Sequence, residues 1–356
     1  MGVRCGSCGE PLPIAGLPHL CPRCGGLYEL DEISPEGARN RGGNLPGIWA
    51  LPSMRALGVE PVTLGEGATA LVPIRVRDRD VFLKCEFTNP TGSFKDRGMA
   101  ALVGVLKSRG LGEVVEDSSG NAGASLAAYS ARAGIHVRVF VPESAAGPKL
   151  AQIRAFGAEV TPVGGARERA SEAAQASAGE GAVYASHAYS PFCLAGYETC
   201  ADEIVAQLGG APSAVILPVG QGGLLLGLSR GFRRLERASR TAALPALVGV
   251  QAVACAPFCN PSSARSSATI AEGIRISRPV RRAAVVQEVR ASGGRFVAVS
   301  EEDIVEGRDR LARMGFYVEA TSAVVWRALD DCMADFPDPL VVVLTGTGLK
   351  ARLGGD

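Results

Sequence analysis

The chain has 356 residues, 47% of them hydrophobic, which is enough to bury large cores and predicts two or three domains. Lys+Arg 37 against Asp+Glu 36 leaves a formal charge of +1, a balance that argues against nucleic acid or an anionic membrane as partner. No apolar run is long enough to span a bilayer and no secretory segment follows Met1, so a cytoplasmic protein is expected, and its ten cysteines do not read as a disulfide framework.

Four of the cysteines open the chain in order. Cys5-x2-Cys8 and Cys21-x2-Cys24 are separated by twelve residues, and each pair sits in a Cys-x2-Cys-Gly turn. Four thiolates at this spacing close tetrahedrally around zinc and leave no ligand position for chemistry, which predicts a structural zinc ribbon over residues 1–32. Two paired knuckles argue against the alternative, a redox dithiol. A module of about thirty residues has too little core to fold alone, so the metal would supply its folding energy. His19, between the knuckles, is expected at the surface. Asn40 to Gly47 reads as a linker.

Strand-like and helix-like stretches then alternate. The apolar runs are Val81 to Leu83, Val114-Val115, Val137 to Val141, Val160 to Val163, Val183-Tyr184, Val215 to Val219, Leu247 to Gln251, Phe296 to Val299 and Leu340 to Leu344. This alternation predicts an α/β protein with mostly parallel sheets. After Phe82 and Leu83, a turn at Gly92 feeds a helix starting near Phe94, which places Lys95 in its first turn. The positive end of the helix dipole favours a neutral, nucleophilic amine there. Alone, the stretch also fits a capped first turn with Ser93 as N-cap.

Asp117-Ser118-Ser119-Gly120-Asn121-Ala122-Gly123 follows a strand and opens a helix that runs through Ala133. Free amides at such a start bind anions, although Ser and Asn are also ordinary caps. Gly220-Gln221-Gly222-Gly223-Leu224 follows the run from Ala214 to Val219. Glycine lets backbone amides approach phosphate oxygens. The turn lacks both the lysine and hydroxyl of a nucleotide P-loop and the dinucleotide spacing, so it suits a phosphate without a nucleotide. Thr345-Gly346-Thr347-Gly348-Leu349-Lys350 follows the last strand.

These motifs, in this order, resemble the tryptophan-synthase-type family of pyridoxal phosphate (PLP) enzymes. Thr91 to Gly98 is similar to that family's lysine segment. Leu64-Gly65-Glu66-Gly67 with Leu71-Val72-Pro73, and Leu344 to Lys350, resemble threonine synthases. Thr269 to Ile274 resembles a segment those enzymes share with serine/threonine dehydratases, and Glu319 to Ala323 is similar to another shared segment. Some threonine synthase relatives also carry an amino-terminal ribbon. The resemblance covers nearly all of the chain after the first forty residues.

It implies a Schiff base between Lys95 and PLP, with Lys95 then acting as general acid and base. It further implies that Asn121 lies against the ring hydroxyl, that Gly220, Gln221, Gly222, Gly223 and Leu224 hold the phosphate, and that the Thr345 hydroxyl faces the pyridine nitrogen. Thr91, Ser118, Ser119, Gly120, Asn121 and Ala122 would bind the amino-acid substrate through its carboxylate. The implied architecture is two open, mostly parallel α/β domains with PLP in the cleft between them, plus the ribbon. Residues 33–93 and 201–356 would form the large domain and 94–200 a small mobile one, in a homodimer.

One segment departs from the pattern. Many threonine synthases carry an arginine near the proline that matches Pro191, and it grips the phosphate leaving group of O-phosphohomoserine. Here Cys193 takes that position, Ser190 replaces an asparagine, and no Arg or Lys lies between Ala182 and Thr199. Lys149, Arg154 or Arg275 would have to compensate, though each also reads as a solvated charge. His187 reads as a substrate contact or a structural histidine. Cys193 reads as a reactive thiol or, like most of Cys85, Cys200, Cys255, Cys259 and Cys332, as a small core hydrophobe. The expected reaction is that of a threonine synthase, with elimination of phosphate and addition of water. A dehydratase or β-replacing synthase acting on serine, threonine or an O-activated serine is the alternative. Intact Lys95, Asn121 and glycine loop argue against a non-catalytic relative.

Overall fold

The computed structural model describes residues 2–31, 45–165, 167–178, 181–260 and 268–351. Of the linker reading at Asn40 to Gly47, residues 40–44 lie outside them. The first elements are β1 (Val3–Cys5), β2 (Tyr28–Leu30), α1 (Pro52–Arg55), β3 (Leu71–Val76), β4 (Arg79–Lys84) and α2 (Lys95–Ser108). There follow β5 (Glu113–Glu116), α3 (Asn121–Ala133), β6 (His136–Pro142), α4 (Pro148–Ala155), β7 (Glu159–Val163), α5 (Arg167–Ala178), β8 (Val183–Tyr184) and α6 (Pro191–Leu208). The remainder is β9 (Ala214–Pro218), α7 (Gly223–Arg237), β10 (Ala246–Ala252), α8 (Arg282–Ala291), β11 (Arg295–Val299), α9 (Glu301–Arg313), α10 (Ala320–Ala323), α11 (Val325–Asp335) and β12 (Leu340–Val343).

Every apolar run expected to be a strand coincides with one, apart from Val219 and Leu344, which lie one residue beyond β9 and β12, and the fold is α/β with mostly parallel sheets, as expected. β3 was not foreseen. It is a half-buried edge strand, paired antiparallel with β4 across a turn in which Arg77 and Asp78 have φ of 45° and 62°. Two consecutive left-handed residues give the turn a twist that matches the strands. Pro73 is tolerated because an edge strand can leave a ladder position unfilled.

The chain forms two compact units. The first takes the residues up to Glu66 together with Lys95–Gly196. Its body is a four-stranded parallel sheet, in order β7-β6-β5-β8, and the two-stranded ribbon β1-β2 belongs to the same unit. Val115, Phe140, Ala170, Ala174, Ala182 and Tyr184 pack one face of the sheet under α5. The second unit takes Gly67–Phe94 and Tyr197–Ala351. Its sheet runs β11-β10-β9-β12-β4-β3, and only β3 is antiparallel. Every residue of β9, β10 and β12 is buried, as expected of parallel strands covered by helices on both faces.

Each sheet has a point where the strand order reverses. In the first, β6 lies on one side of β5 and β8 on the other. In the second, β10 lies on one side of β9 and β12 on the other. Crevices at the carboxyl ends of such strand pairs are where open α/β sheets bind ligands. The Ser118 to Asn121 loop leaves β5 and the Gly220 to Leu224 loop leaves β9. Thr345 stands just beyond β12.

Candidate active site

Lys95 is the first residue of α2, one position later than the sequence suggested. The Ser93 side chain does not cap this helix. Its hydroxyl is fully buried without a hydrogen-bond partner, so the capped-turn alternative does not apply. The next residue of α2, Asp96, is buried and accepts a 2.6 Å hydrogen bond from Ser125 of α3. This charge-assisted contact fixes the helix bearing Lys95 against the helix that opens at Asn121. Tyr129, also on α3, donates to Glu66 at 2.8 Å, and Glu66 in turn accepts from the Leu64 amide and the Thr63 hydroxyl. The Leu64 to Gly67 motif thus supplies a buried corner that holds α3.

α3 begins after Gly120 with no side-chain cap, a helix start of the kind that suits an anion. Gly123 is required there, because a Cβ would lie 1.9 Å from the Ser118 carbonyl oxygen. Ser118, Ser119, Gly120 and Asn121 are partly exposed, whereas Ala122 is buried.

Glu116, Asp117 and His187, at the ends of β5 and β8, complete this part of the first unit. Glu116 is fully buried, and burial pushes its carboxyl up despite the Asp117 amide, which donates to Oε2 at 2.8 Å. Asp117 is pushed up to about 6 by burial and by the Glu116 charge. It accepts from the Tyr184 hydroxyl at 2.7 Å and from Arg167 at 3.3 Å. The His187 Nδ1 stands 3.6 Å from Glu116 Oε1, and burial holds the imidazole well below its ordinary pKa. The charge of Lys95 acts on both Glu116 and His187. The sequence reading passed over Glu116 and Arg167. Two acids directly after an apolar strand were the available signal, because carboxylates are seldom fully buried without a role or a partner.

In the second unit, Gly222 caps α7 in the left-handed region at φ 83°, again without a side-chain cap. A Cβ there would meet Val285 at 2.3 Å, and one on Gly220 would meet the Ile274 backbone at 3.0 Å. Gln221 turns away from the loop and accepts from the Val280 amide at 3.0 Å. Bare amides at a helix start, with glycines that keep side chains out, fit a phosphate. The buried Thr345 hydroxyl pairs with that of Ser322 at 3.1 Å, so the group beyond β12 is neutral. Thr91 is buried and its carbonyl accepts from Lys350. These donor sets fit PLP, since one loop suits its phosphate and a neutral hydroxyl suits its ring nitrogen.

Cys193 is fully buried and so is not an exposed reactive thiol. Cys85, Cys200, Cys255 and Cys332 are likewise buried, whereas Cys259 is exposed. Arg154 and Arg275 are exposed. Within the first unit, Arg167 is an ion-pair partner of Asp117 and its charge acts on His187.

In the ribbon, the four thiol sulfurs of Cys5, Cys8, Cys21 and Cys24 lie within 4.8 Å of one another. Separations of 3.3–3.7 Å between them approach the roughly 3.8 Å edge of a tetrahedron with zinc–sulfur bonds of about 2.3 Å. Gly9 and Gly25, with φ of 74° and 71°, donate to the Cys5 and Cys21 carbonyls and close the two knuckles. His19 is half-buried and offers its ring to two tyrosines rather than to the thiolates. It packs edge-on against Tyr184 and Tyr189, with ring centroids at 5.0 and 5.2 Å.

Among the described residues, no helix is long and apolar enough to cross a membrane. Residues 62–347 match the family model described as pyridoxal-phosphate dependent enzyme. The threonine synthase of Methanocaldococcus jannaschii is 36% identical over 98% of this chain and 92% of its own length. That of Mycobacterium tuberculosis is 36% identical over 82% and 84%. Among solved structures, a threonine deaminase from T.th. superposes with a TM-score of 0.64 at 29% identity, covering 78% of this chain and 92% of its own. Maize serine racemase, at 19% identity and a TM-score of 0.69 over 85% and 96%, shares the fold. With its motifs in the family's order over this length, the chain belongs to the pyridoxal-phosphate dependent enzymes as a threonine-synthase-like member.

Proposed function

We propose that the protein is a cytoplasmic PLP-dependent lyase that converts O-phosphohomoserine to threonine, by loss of phosphate from the γ-carbon and addition of water at the β-carbon. The observation that carries this reading is similarity to a threonine synthase at 36% identity over 98% of the chain. The bound cofactor supplies an electron sink for the pair left at the α-carbon. Lys95 holds the cofactor, takes the α-proton on Nζ and returns it. The Ser118, Ser119, Gly120, Asn121 and Ala122 stretch and Thr91 orient the substrate, with the uncapped start of α3 accepting its carboxylate. The Asn121 side chain lies against the ring hydroxyl. Gly220, Gln221, Gly222, Gly223 and Leu224 hold the phosphate, and Thr345 presents a hydroxyl to the ring nitrogen. A neutral partner would not force that nitrogen to carry a proton, which suits elimination and replacement. Zinc on Cys5, Cys8, Cys21 and Cys24 is structural, and the enzyme works as a homodimer.

A second reading, as a dehydratase of threonine or serine, is favoured by the absence of any Arg or Lys between Ala182 and Thr199. A dianionic leaving group is poorly held by neutral groups. Incubating the PLP-loaded enzyme separately with O-phosphohomoserine, threonine and serine decides between the two. Threonine and phosphate from the first substrate support the synthase. Keto acid from threonine or serine, with no turnover of O-phosphohomoserine, rejects it.

A further inference from the structure

Glu116 and His187 present two buried polar atoms that stand opposite each other without a hydrogen-bond partner. Glu116 is wholly buried, and its Oε1 has no hydrogen-bond partner; the same holds for the buried Nδ1 of His187, 3.6 Å away. Two lone pairs in that position would repel, so a proton must lie between them. No neighbour donates a hydrogen bond to either of these two atoms. The Asp117 amide is committed to the other Glu116 oxygen. The Asp117 carboxyl accepts from Tyr184 and Arg167 and also has a side-chain contact with Glu116. The charges that reach the pair are Lys95, Arg167 and Asp117.

The location is equally specific. β5 and β8 are parallel neighbours, with Val114 opposite Val183 and Val115 opposite Tyr184, and the Ala185 amide extends the pairing to the Val115 carbonyl. Glu116 and His187 therefore leave adjacent strands at the reversal point of this sheet, beside the uncapped start of α3 and within the field of Lys95. The His187 side chain is 16% exposed while its Nδ1 is buried, so that exposure belongs to the rest of the side chain.

We propose that His187, backed by Glu116, is the acid–base group that makes and breaks the carbon–oxygen bond at the β-carbon of the amino-acid substrate. This deepens the lyase reading above and rests on it. In the addition direction, Nε2 takes a proton from water as the water oxygen bonds to the unsaturated β-carbon. The displaced electron pair moves to the α-carbon, where Lys95 returns a proton. The imidazole passes its Nδ1 proton to Glu116, so no net charge is left on the ring. In elimination the same proton travels back. The Nε2–H bond breaks, the departing hydroxyl leaves as water with the carbon–oxygen pair, and Glu116 ends as a carboxylate facing Nδ1–H. A hydroxyl needs this proton to leave, whereas a phosphate dianion does not. The pair therefore serves a β-hydroxy amino acid as product or substrate, and both readings of the overall reaction contain that step.

The test uses the full-length, PLP-loaded protein. Exchange of the α-hydrogen of threonine with deuterated water reports the Lys95 step. Threonine formed from O-phosphohomoserine, or keto acid formed from threonine, reports the carbon–oxygen step. His187→Asn should slow the second by about 100-fold or more, the range of a lost general acid–base group, and leave the first near wild type. Glu116→Gln should remove one ionisation from the pH profile of the carbon–oxygen step. It should also shift the His187 ring nitrogen signals in NMR, which are assigned by their loss in His187→Asn because the chain has three histidines. If both steps fall together in His187→Asn, or neither falls, the acid–base role is wrong. Unchanged His187 signals in Glu116→Gln overturn the pairing itself. Absence of α-exchange in the wild type, with the NMR coupling intact, overturns the lyase reading instead.

Discussion

Lys95 is set by its position more than by its immediate neighbours. It opens α2, and the Asp96 to Ser125 contact fixes that helix start. Borohydride treatment of the yellow holoenzyme should leave the cofactor's mass on the peptide containing Lys95. Lys95→Ala should abolish turnover, because anchor and proton carrier are lost together. A label on another lysine would refute the assignment. Asp117 makes a separate prediction about pH. Its pKa is raised from 3.8 to about 6, so the folded state holds more protons than the unfolded chain between those values. Stability should therefore fall as pH rises through that window, with the cost fully present above about 6. Glu116, also raised, acts in the same direction. Denaturant titrations of Asp117→Asn at pH 4 to 7 should show a flatter dependence than the wild type.

At the scale of elements, α7 depends on a turn that only glycine fits. Gly222→Ala would put a Cβ 2.3 Å from Val285 in a left-handed conformation. The expected cost is about 1–3 kcal/mol in urea unfolding, with a weaker half-saturation by PLP, since the same turn presents the amides. Glycine loops are legible in sequence for this reason, although the opposing Val285 is not. The ribbon contributes differently. It reaches the body of its own unit through Arg109, which donates to the Pro13 and Gly16 carbonyls at 2.9 and 2.7 Å, and through His19 on Tyr184 and Tyr189. Metal analysis should give one zinc per chain, and the double variant Cys5→Ser with Cys8→Ser should lose it and melt at lower temperature. Retention of zinc by that variant would remove the site. With four thiolates as ligands the metal has no open position, so turnover should not need it directly.

At the scale of the molecule, a buried ion pair joins distant parts of the second unit's sequence. Lys84 at the end of β4 is fully buried and donates to Glu203 of α6 at 2.7 Å, to Gln207 at 2.9 Å and to the Thr69 carbonyl at 2.8 Å. Glu203 also accepts from the Ala68 amide at 2.8 Å. Glu203→Gln would leave an uncompensated ammonium in the interior. A loss of about 3–5 kcal/mol in urea unfolding is expected, and Lys84→Met with Glu203→Leu should recover much of it. Nothing in the local sequence around Lys84 marks it as interior, because its partner lies 119 positions away.

Local patterns determined much of this protein without the fold. Alternating apolar runs gave the strands, glycine and Ser/Asn clusters marked the uncapped helix starts after β5 and β9, and doubled Cys-x2-Cys gave the four-cysteine ribbon, because each is a property of a few consecutive residues. Tertiary structure alone decided which strands are neighbours. That pairing of β5 with β8 brings His187 to Glu116, places Arg167 and Tyr184 on Asp117, and sets the Tyr184 ring against a half-buried His19. Burial and charge pairing are sums over residues far apart in the chain, so the electrostatics at the end of β5 could be read only once the sheet order was known.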